Sequence, residues 1–275
     1  MKMSKNAAFL GVLGVLLCFA LQAQKKEYVS VNVGYSAGMG DYGRVENVTV
    51  TSSGSFTNES VKQDFGQGLN LGITYGKMHN GNFGIEVGLA YHGGAAFVSN
   101  SSIFDDSAGV TNTYKEKNSV NMIRVNPRIV ISMADRKFNP YAKFGIIWGY
   151  GTLTSKGEQI YYSDFYTQTL KASGTCLGLS GSLGGTAAVS AFTDFFIEVS
   201  SVNMNFIPKK GRLVEAHYNG MDVLGQIPDY YKEVEFVDHI EGNTMVPALN
   251  GSNQTLKRSA SMSSVGVNIG FRFRF

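Results

Sequence analysis

Apolar and polar residues alternate at period two along much of the chain. The last twelve residues, SVGVNIGFRFRF (264–275), show this most clearly. Every odd position from Val265 to Phe275 is apolar, and every even position from Ser264 to Arg274 is small or polar. Because successive side chains of a β-strand point to opposite faces, this pattern predicts a strand with one apolar and one polar face.

Seven earlier segments alternate in the same way, so the sequence predicts eight strands. Each segment is about ten residues or longer, which is the length that a tilted strand needs to cross a bilayer. The pattern is weakest in 176–189, where Leu177, Leu179 and Leu183 mark the apolar face. The predicted strands are 28–38, 65–77, 83–94, 120–133, 141–151, 176–189, 195–206 and 264–275.

Short and long connections alternate between these strands. The short ones are 79–82, 134–140 and 190–194, and the long ones are 40–63, 97–117, 152–174 and 207–258. This rhythm is typical of membrane barrels that have short periplasmic turns and long outer loops. A closed sheet also pairs every backbone polar group, which a lipid environment requires. The predicted fold is therefore all-β, an eight-stranded antiparallel up-and-down transmembrane β-barrel.

An exported, lipocalin-like cup would show the same periodicity with its apolar face turned inward. Aromatic residues near both ends of the predicted strands favour the membrane barrel, because aromatic side chains concentrate at the two membrane interfaces. On the periplasmic side these are Phe83, Tyr141, Phe195, Phe273 and Phe275, and on the outer side they are Tyr35, Phe65, Tyr91, Trp148 and Tyr150.

The N-terminal segment 1–23 has the features of a secretory signal peptide. A short basic start precedes an apolar run from Ala7 to Leu21, and the small residue Ala23 precedes Gln24. This run of 15 residues is shorter than the roughly 20 residues of a spanning helix. We therefore expect cleavage after Ala23, export through the inner membrane and a mature barrel domain of residues 24–275.

Charge and cysteine content exclude several function classes. Removing Lys2 and Lys5 leaves 22 basic residues (24 − 2) against 21 acidic ones, a net charge of +1. This balance lacks the strongly basic character of nucleic-acid-binding proteins, so no nucleic-acid partner is expected. Cys176 stands alone in the mature chain, which excludes an internal disulfide. No zinc motif, phosphate loop or dinucleotide fingerprint occurs, so we expect neither metal nor cofactor.

The final residues NIGFRFRF resemble the C-terminal assembly signal of outer-membrane barrels. That signal has a polar residue, a glycine two positions later and two aromatic or apolar residues at alternate positions, the last of them terminal. Asn268, Gly270, Phe273 and Phe275 fit it. The mature chain as a whole resembles the small outer-membrane barrels related to outer membrane proteins A and X. The resemblance implies a lipid-embedded barrel of the Gram-negative outer membrane whose last strand the barrel-assembly machinery recognises. It implies no specific activity.

Charged residues on the predicted inner face occur at related depths. Glu86, Lys143 and Glu198 lie near the beginning of strands that run outward, and Arg128 and Arg272 lie near the end of strands that run back. Buried charges need partners, so we expect a salt-bridge network that plugs the lumen. The outer membrane protein A family has a comparable internal network. The predicted inward charges are Glu86, Arg124, Arg128, Lys143, Glu198 and Arg272.

Three functions remain open at this level. The first is a structural or surface-interaction role through the outer loops, above all 207–258, where YKEVEFVDHI alternates like a strand and predicts ordered structure that binds an extracellular or envelope partner. The second is a narrow pore for ions or small solutes. The third is a rim enzyme that acts on lipid, in which His92 would work with Ser99, Ser101, Asp105 or Asp106 of its loop. No family motif supports this, so no catalytic residue is assigned.

Overall fold

The computed structural model describes residues 26–39, 44–51, 54–62, 64–79, 82–105, 109–133, 138–240, 253–257 and 259–275. The predicted signal peptide lies outside these ranges, so its assignment stays a prediction. No helix in the described ranges is long and apolar enough to cross a membrane. Besides a 3-10 turn (Leu224–Gln226) and a single-turn helix α1 (Asp229–Lys232), the regular structure there consists of strands. They are β1 (Glu27–Gly38), β2 (Arg44–Val50), β3 (Phe56–Lys62), β4 (Gly68–Met78), β5 (Phe83–Gly94), β6 (Phe97–Asp105), β7 (Val110–Ser132), β8 (Phe138–Tyr161), β9 (Asp164–Ala188), β10 (Thr193–Tyr218), β11 (Met221–Asp222), β12 (Glu233–Val237), β13 (Asn253–Leu256), β14 (Ala260–Ser261) and β15 (Ser264–Arg274).

Eight of these strands form a closed antiparallel ring in the order β1, β4, β5, β7, β8, β9, β10 and β15. The ring closes where β15 pairs with β1, from Tyr28 opposite Arg274 to Gly38 opposite Ser264. Each ring strand overlaps one of the eight predicted strands. The prediction of an eight-stranded antiparallel barrel is thereby confirmed.

The apolar face of the ring strands points outward. In β15, Val267, Ile269, Phe271 and Phe273 are exposed, whereas the intervening Asn268 and Arg272 are buried. The same alternation holds in β5, where Ile85, Val87 and Leu89 are exposed and Glu86 is buried. The exposed apolar residues of neighbouring strands form the outer surface that a bilayer would contact.

Two aromatic residues expected in the interface belts instead point inward. Tyr141 has the same parity on β8 as Lys143, and only 4% of its surface is exposed. Phe65 precedes β4 in a bend and is buried inside the barrel, with its ring edge-on to Phe97. Position near a strand end therefore did not decide the direction of these side chains. The others are exposed except Phe275, which is half-buried: Tyr35, Phe83, Tyr91, Trp148, Tyr150, Phe195 and Phe273.

Ring strands β7 to β10 continue far beyond their predicted outer ends. The sequence predicts a loop for 152–174, but the structure has the outer halves of β8 and β9 there, joined by residues 162–163. Their pairing register is unbroken from Phe138 opposite Ala187 to Tyr161 opposite Asp164. This extension contains polar residues on both faces, such as Lys156, Glu158 and Gln159, so it lacks the apolar periodicity that marks the membrane part.

The other long connections also contain ordered strands. Strand β6 forms a hairpin with the outer part of β7, and β2 pairs with β3 and, over two residue pairs, with β6. In 207–258, β10 continues to Tyr218, β12 pairs with β10, and β13 lies parallel to β12. The described parts of that segment, 207–240 and 253–257, are ordered as predicted, and β12 coincides with the alternating stretch YKEVEFVDHI.

Pro127 interrupts the pairing of β7 without displacing its register. Since proline removes a ladder donor, the sequence predicts a bulge or another strand irregularity there. Pairing with β5 continues through Val87 opposite Pro127. Pairing with β8 lapses at residues 126 and 127 and resumes in the same register at Arg128 opposite Gly145. Because proline has no N–H to donate, the ladder is interrupted without forming a bulge.

Candidate functional site: a charged cluster in the barrel lumen

Four charged side chains meet inside the periplasmic half of the barrel; we call Glu86, Arg128, Lys143 and Glu198 the charged cluster. Arg128 Nη2 lies 2.6 Å from Glu86 Oε1, and Arg128 Nη1 lies 3.9 Å from Glu198 Oε1. Lys143 Nζ lies 3.3 Å from Glu86 Oε1 and 2.9 Å from Glu198 Oε2. Each charge therefore has two partners of opposite sign, contributed by β5, β7, β8 and β10.

The charged cluster is almost completely removed from solvent. Side-chain exposure is 0% for Glu86, 3% for Lys143 and 5% for Glu198. Moving an ion into such an environment costs several kcal/mol unless partners compensate for the lost hydration. The alternation of two cations and two carboxylates provides that compensation, so the cluster is stable only as a unit.

Two tyrosines and Arg272 complete the arrangement. The Tyr28 hydroxyl donates to Glu86 Oε2 at 2.7 Å, and the Tyr141 hydroxyl donates to Glu198 Oε2 at 3.0 Å. The Arg272 guanidinium lies 4.2 Å from the centre of the Tyr28 ring and 5.4 Å from that of Tyr141. Arg272 therefore joins the predicted group through cation–π contacts with the tyrosines.

Glycines on the inner face make room for these large side chains. A Cβ atom on Gly184 would lie 2.7 Å from Glu198 Cβ and 2.8 Å from Tyr141 Cζ. A Cβ atom on Gly76 would overlap the Tyr28 ring. Since real Cβ contacts are almost never this short, the cluster depends on glycine at these two positions.

Arg124, the sixth predicted charge, lies apart from the charged cluster. It is four residues from Arg128 along β7, which corresponds to about 13 Å of strand. Arg124 is 5% exposed, and its guanidinium forms no ion pair with any described residue.

A polar cavity of about 90 Å³ separates Arg124 from the charged cluster. Arg124 and Arg128 both line it, together with side-chain hydroxyls and amides from six strands. Asn126, in its wall, is hydrogen-bonded to the Ser180 hydroxyl at 3.1 Å. The uncharged polar lining consists of Asn32, Ser36, Asn70, Thr74, Asn126, Ser180, Ser182, Ser200, Ser264 and Asn268, and the carboxylate of Glu198 also lines the cavity.

An apolar cluster fills the lumen on the outer side of this cavity, and the sequence analysis missed it. Period two continues on β7 from Arg124 to Met122 and Val120, and on β10 from Glu198 to Met204, so the same inner-face parity contained the signal. Every member is at least 94% buried. The apolar cluster consists of Phe65, Val120, Met122, Ile147, Cys176, Met204, Phe206, Ala260 and Met262.

His92, the candidate for a rim enzyme, is fully buried in the lumen. Its Nδ1 lies 2.9 Å from Asn70 Oδ1, and its Nε2 lies 3.1 Å from the backbone oxygen of Phe65. Both contacts anchor the bend that contains Phe65. Among the described residues, no group of three or more His, Cys, Asp or Glu side chains could hold a metal ion.

The four residues of the predicted C-terminal assembly signal all lie in the closing strand. Asn268 donates to Ser200 Oγ at 2.9 Å and lies 3.5 Å from Glu198 Oε1. A Cβ atom on Gly270 would lie 2.8 Å from the Phe196 ring. Phe273 is exposed on the apolar face, and the Phe275 N–H donates to the Glu27 carbonyl at 3.0 Å. Their recognition during assembly stays a prediction.

Comparison with known proteins gives one family and several structural relatives. The sequence profile described as "Outer membrane protein beta-barrel domain" matches residues 11–223. OprG, an outer membrane protein of Pseudomonas aeruginosa, is 12% identical over 92% of this chain and 97% of its own, with a TM-score of 0.43. Neisserial surface protein A is 11% identical over 90% and 97%, with a TM-score of 0.36. Ail, the attachment invasion locus protein of Yersinia pestis, is 13% identical over 92% and 100%, with a TM-score of 0.34. No curated protein sequence matches the chain.

Proposed function

Because the chain belongs to the outer membrane protein β-barrel family, we propose that it is a closed barrel that displays ordered β-structure at the cell surface. It resides in the outer membrane of Gram-negative bacteria, as this family does. Its proposed role is structural and interactive: the barrel anchors the outer strands in lipid, and these strands contact an extracellular or envelope partner.

The observation that carries the proposal is the charged cluster. Its four side chains come from β5, β7, β8 and β10, and Tyr28 and Arg272 approach from β1 and β15. An eight-stranded barrel has an interior just wide enough to be filled by side chains. A permeating ion would have to separate buried, mutually paired charges, and this supports a closed lumen over a narrow pore.

The apolar cluster supports the same proposal independently. It occupies the lumen between the polar cavity and the outer mouth, and Val120, Phe206 and Met262 have no exposed surface. A dry apolar constriction opposes the passage of hydrated ions, because ions lose hydration there without gaining polar partners. The proposed barrel thus has two barriers in series.

The outward extension of the ring supports a role in surface contact. Strand β8 continues for 11 residues beyond the outer aromatic residue Tyr150, or about 35 Å of strand. Near the turn between β8 and β9, Tyr161, Tyr162 and Phe165 are exposed. Tyrosine and phenylalanine are enriched in protein interfaces. We propose that this tip and the ordered part of 207–258 form the contact surface.

The proposed role involves no catalysis. His92 is held in the interior by Asn70 and the Phe65 carbonyl, and it forms no hydrogen bond with Ser99 or Ser101 of its loop. Lipid contact is assigned to the outward apolar face, and recognition by the barrel-assembly machinery to the last strand. Neither role needs a reactive group.

Conductance in a planar bilayer tests the closed lumen. The mature chain from Gln24 to Phe275 would be refolded, and folding checked by its heat-dependent gel mobility. We expect no single-channel steps, because both barriers are closed. Reproducible steps from the folded protein would overturn the closed-barrel proposal. The number of inserted barrels, counted through an attached fluorophore, would ensure that silence reflects a closed lumen.

Labelling of intact cells tests which end is displayed. Ser163 lies in the turn between β8 and β9, and Ser190 lies in a turn at the opposite end of the barrel, while the native Cys176 is buried. We expect Ser163→Cys to react with a membrane-impermeant thiol reagent on intact cells. Ser190→Cys, the matched control, should react only after the outer membrane is opened. The reverse pattern would contradict the proposed orientation.

A further inference from the structure

We propose that the polar cavity between the charged cluster and the apolar cluster binds one small oxyanion through the guanidinium of Arg124. The ligand class is a carboxylate or a phosphate-like ion. This inference goes beyond the structural role of the barrel, and it does not depend on whether the lumen conducts.

Arg124 is buried, and two of its guanidinium nitrogens lack a hydrogen-bond partner among the described residues. Arg124 is only 5% exposed, and among the described residues its Nε and Nη2 atoms have no hydrogen-bond partner. These two nitrogens form one edge of the planar guanidinium. Such an edge matches two oxygens of a carboxylate or phosphate through parallel hydrogen bonds. A buried donor pair without a partner would otherwise be costly.

The predicted inward side chains carry more positive than negative charge. The six predicted inward charges are two carboxylates, Glu86 and Glu198, and four cations, which leaves an excess of +2 (4 − 2). The buried Asp194 does not change this excess, because Arg274 pairs with it at 3.0 Å. The charged cluster is neutral in itself, and Arg272 is offset in part by the tyrosine rings. The charge on Arg124 has no such compensation from the described residues. A bound anion supplies it where hydration is restricted.

Residues that line the cavity offer further polar groups to a bound ion. Ser182 Oγ and Arg128 Nε are also buried without a hydrogen-bond partner among the described residues, and both residues line the cavity. Asn268 and Ser200 add amide and hydroxyl groups. The Glu198 carboxylate, which also lines the cavity, is paired with Lys143 and Arg128. The volume of about 90 Å³ exceeds the roughly 10–15 Å³ that one water needs. It accommodates a small oxyanion together with a few waters.

The position of the apolar cluster favours tight binding. Met122 lies two residues from Arg124 on the inner face of β7, and its sulfur is 3.4 Å from that of Cys176. Both residues are nearly inaccessible to solvent. A charge-assisted hydrogen bond is stronger where the local dielectric is low. The guanidinium edge distinguishes planar or tetrahedral oxyanions from chloride, because only the former present two oxygens at matching distance.

The direct test observes the Arg124 side chain in the folded, unmodified mature chain. The protein would be refolded in detergent micelles with sodium formate, inorganic phosphate or chloride at equal ionic strength, so that the ion is captured as the barrel closes. We expect a saturable shift of the Arg124 Nε–H resonance with formate or phosphate and a much smaller one with chloride. An absent shift, or the same unsaturated shift with all three ions, would mean that only water occupies the cavity and would overturn the proposal.

A variant series gives a second, independent readout. Arg124→Lys keeps the positive charge but removes the two-nitrogen edge, and Arg212→Lys makes the same change at an exposed position on β10. Phosphate should raise the unfolding temperature of the wild type and of Arg212→Lys alike, through binding to the folded state. For Arg124→Lys we expect an apparent affinity at least tenfold weaker. An unchanged affinity would contradict the proposal, and if this variant does not fold, the wild-type resonance decides.

Discussion

Lys143 Nζ lies 3.3 Å from Glu86 Oε1 although the two residues belong to strands that are not neighbours in the ring. Glu86 is on β5 and Lys143 on β8, with β7 between them. Their contact therefore crosses the lumen instead of running along the sheet. It links two strands that no backbone hydrogen bond joins directly.

Replacing Glu86 with glutamine should destabilise the barrel strongly. The change leaves Arg128 and Lys143 with one carboxylate between them in a buried site, and breaking such a pair costs about 3–5 kcal/mol. Unfolding in urea, with the protein reconstituted in lipid vesicles, measures the free energy. The matched control is Glu27→Gln, which removes an exposed ion pair with Lys77 of 2.6 Å and should destabilise the barrel far less, because water screens exposed charges. Equal losses would show that the cluster contributes no more than a surface pair.

Alanine at Gly184 should be poorly tolerated. Its Cβ would lie within 2.8 Å of Glu198 and Tyr141, both held by the charged cluster. Overpacking of this kind costs about 1–3 kcal/mol. Gly181 on the same strand is the control, because its Cβ would meet only the Lys143 carbonyl, at 3.8 Å. Gly181→Ala should change the unfolding free energy by less than about 0.5 kcal/mol. A tolerated Gly184→Ala would mean that the lumen can rearrange.

The contact between the β6–β7 hairpin and the β8–β9 hairpin should be lost at high pH. The Tyr162 hydroxyl donates to Asp105 Oδ2 at 3.0 Å. This hydrogen bond, followed by one with Tyr161, raises the pKa of Tyr162 from 10.0 to about 12. Since the folded pKa is the higher one, the contact stabilises the hairpins fully below pH 10 and is lost as the pH rises through 12.

Ultraviolet titration of tyrosinate measures this pKa, and the difference between the wild type and Tyr162→Phe isolates its signal. Asp105→Asn should lower the pKa of Tyr162 towards 10.0, because the acceptor is no longer charged. If the Asp105→Asn variant titrates like the wild type, the contact between the two hairpins does not exist in solution.

The predicted assembly signal can be separated from ordinary lipid contact by comparing two phenylalanines. Phe275→Ala should lower the fraction of chains that reach the folded state in cells but leave spontaneous refolding into vesicles almost unchanged. Phe271→Ala removes an exposed ring packed on Phe195, with ring centroids 5.8 Å apart. It should reduce stability in vesicles by about 1–3 kcal/mol without impairing assembly in cells. The same effect of both variants in cells would remove any special role of Phe275.

Alternation identified the membrane part of the barrel because lipid imposes a strict apolar face on every crossing strand. The same parity indicated that Glu86, Arg128 and Lys143 share the lumen. It did not reveal the extension of β8 and β9, where residues such as Lys156 and Gln159 place polar groups on opposite faces and no apolar face is selected.

Contacts between distant segments left no local signal. Met262 belongs to the apolar cluster and lies in a segment just before β15. Its backbone N–H donates to the carbonyl of Met204 on β10, far away in the sequence. Phe65 is turned inward by its bend and by His92. That Arg124 has no counter-charge among the described residues was equally invisible, because the sequence places it on the inner face but does not show which charges reach one another.

Closure of the ring has a kinetic consequence. Tyr28 pairs with Arg274, so the first and last strands of the ring must meet before the sheet is free of open edges. Contacts between residues so far apart in sequence form late and slowly, since the chain loses entropy before the contact stabilises it. A chain that lacks β15 would leave one edge of β1 and one edge of β10 unpaired in lipid. It would also lack Arg272 and Asn268, which contact Tyr28 and Ser200 in the lumen. We therefore expect the barrel to become stable in a single late step, when the C-terminal strand docks.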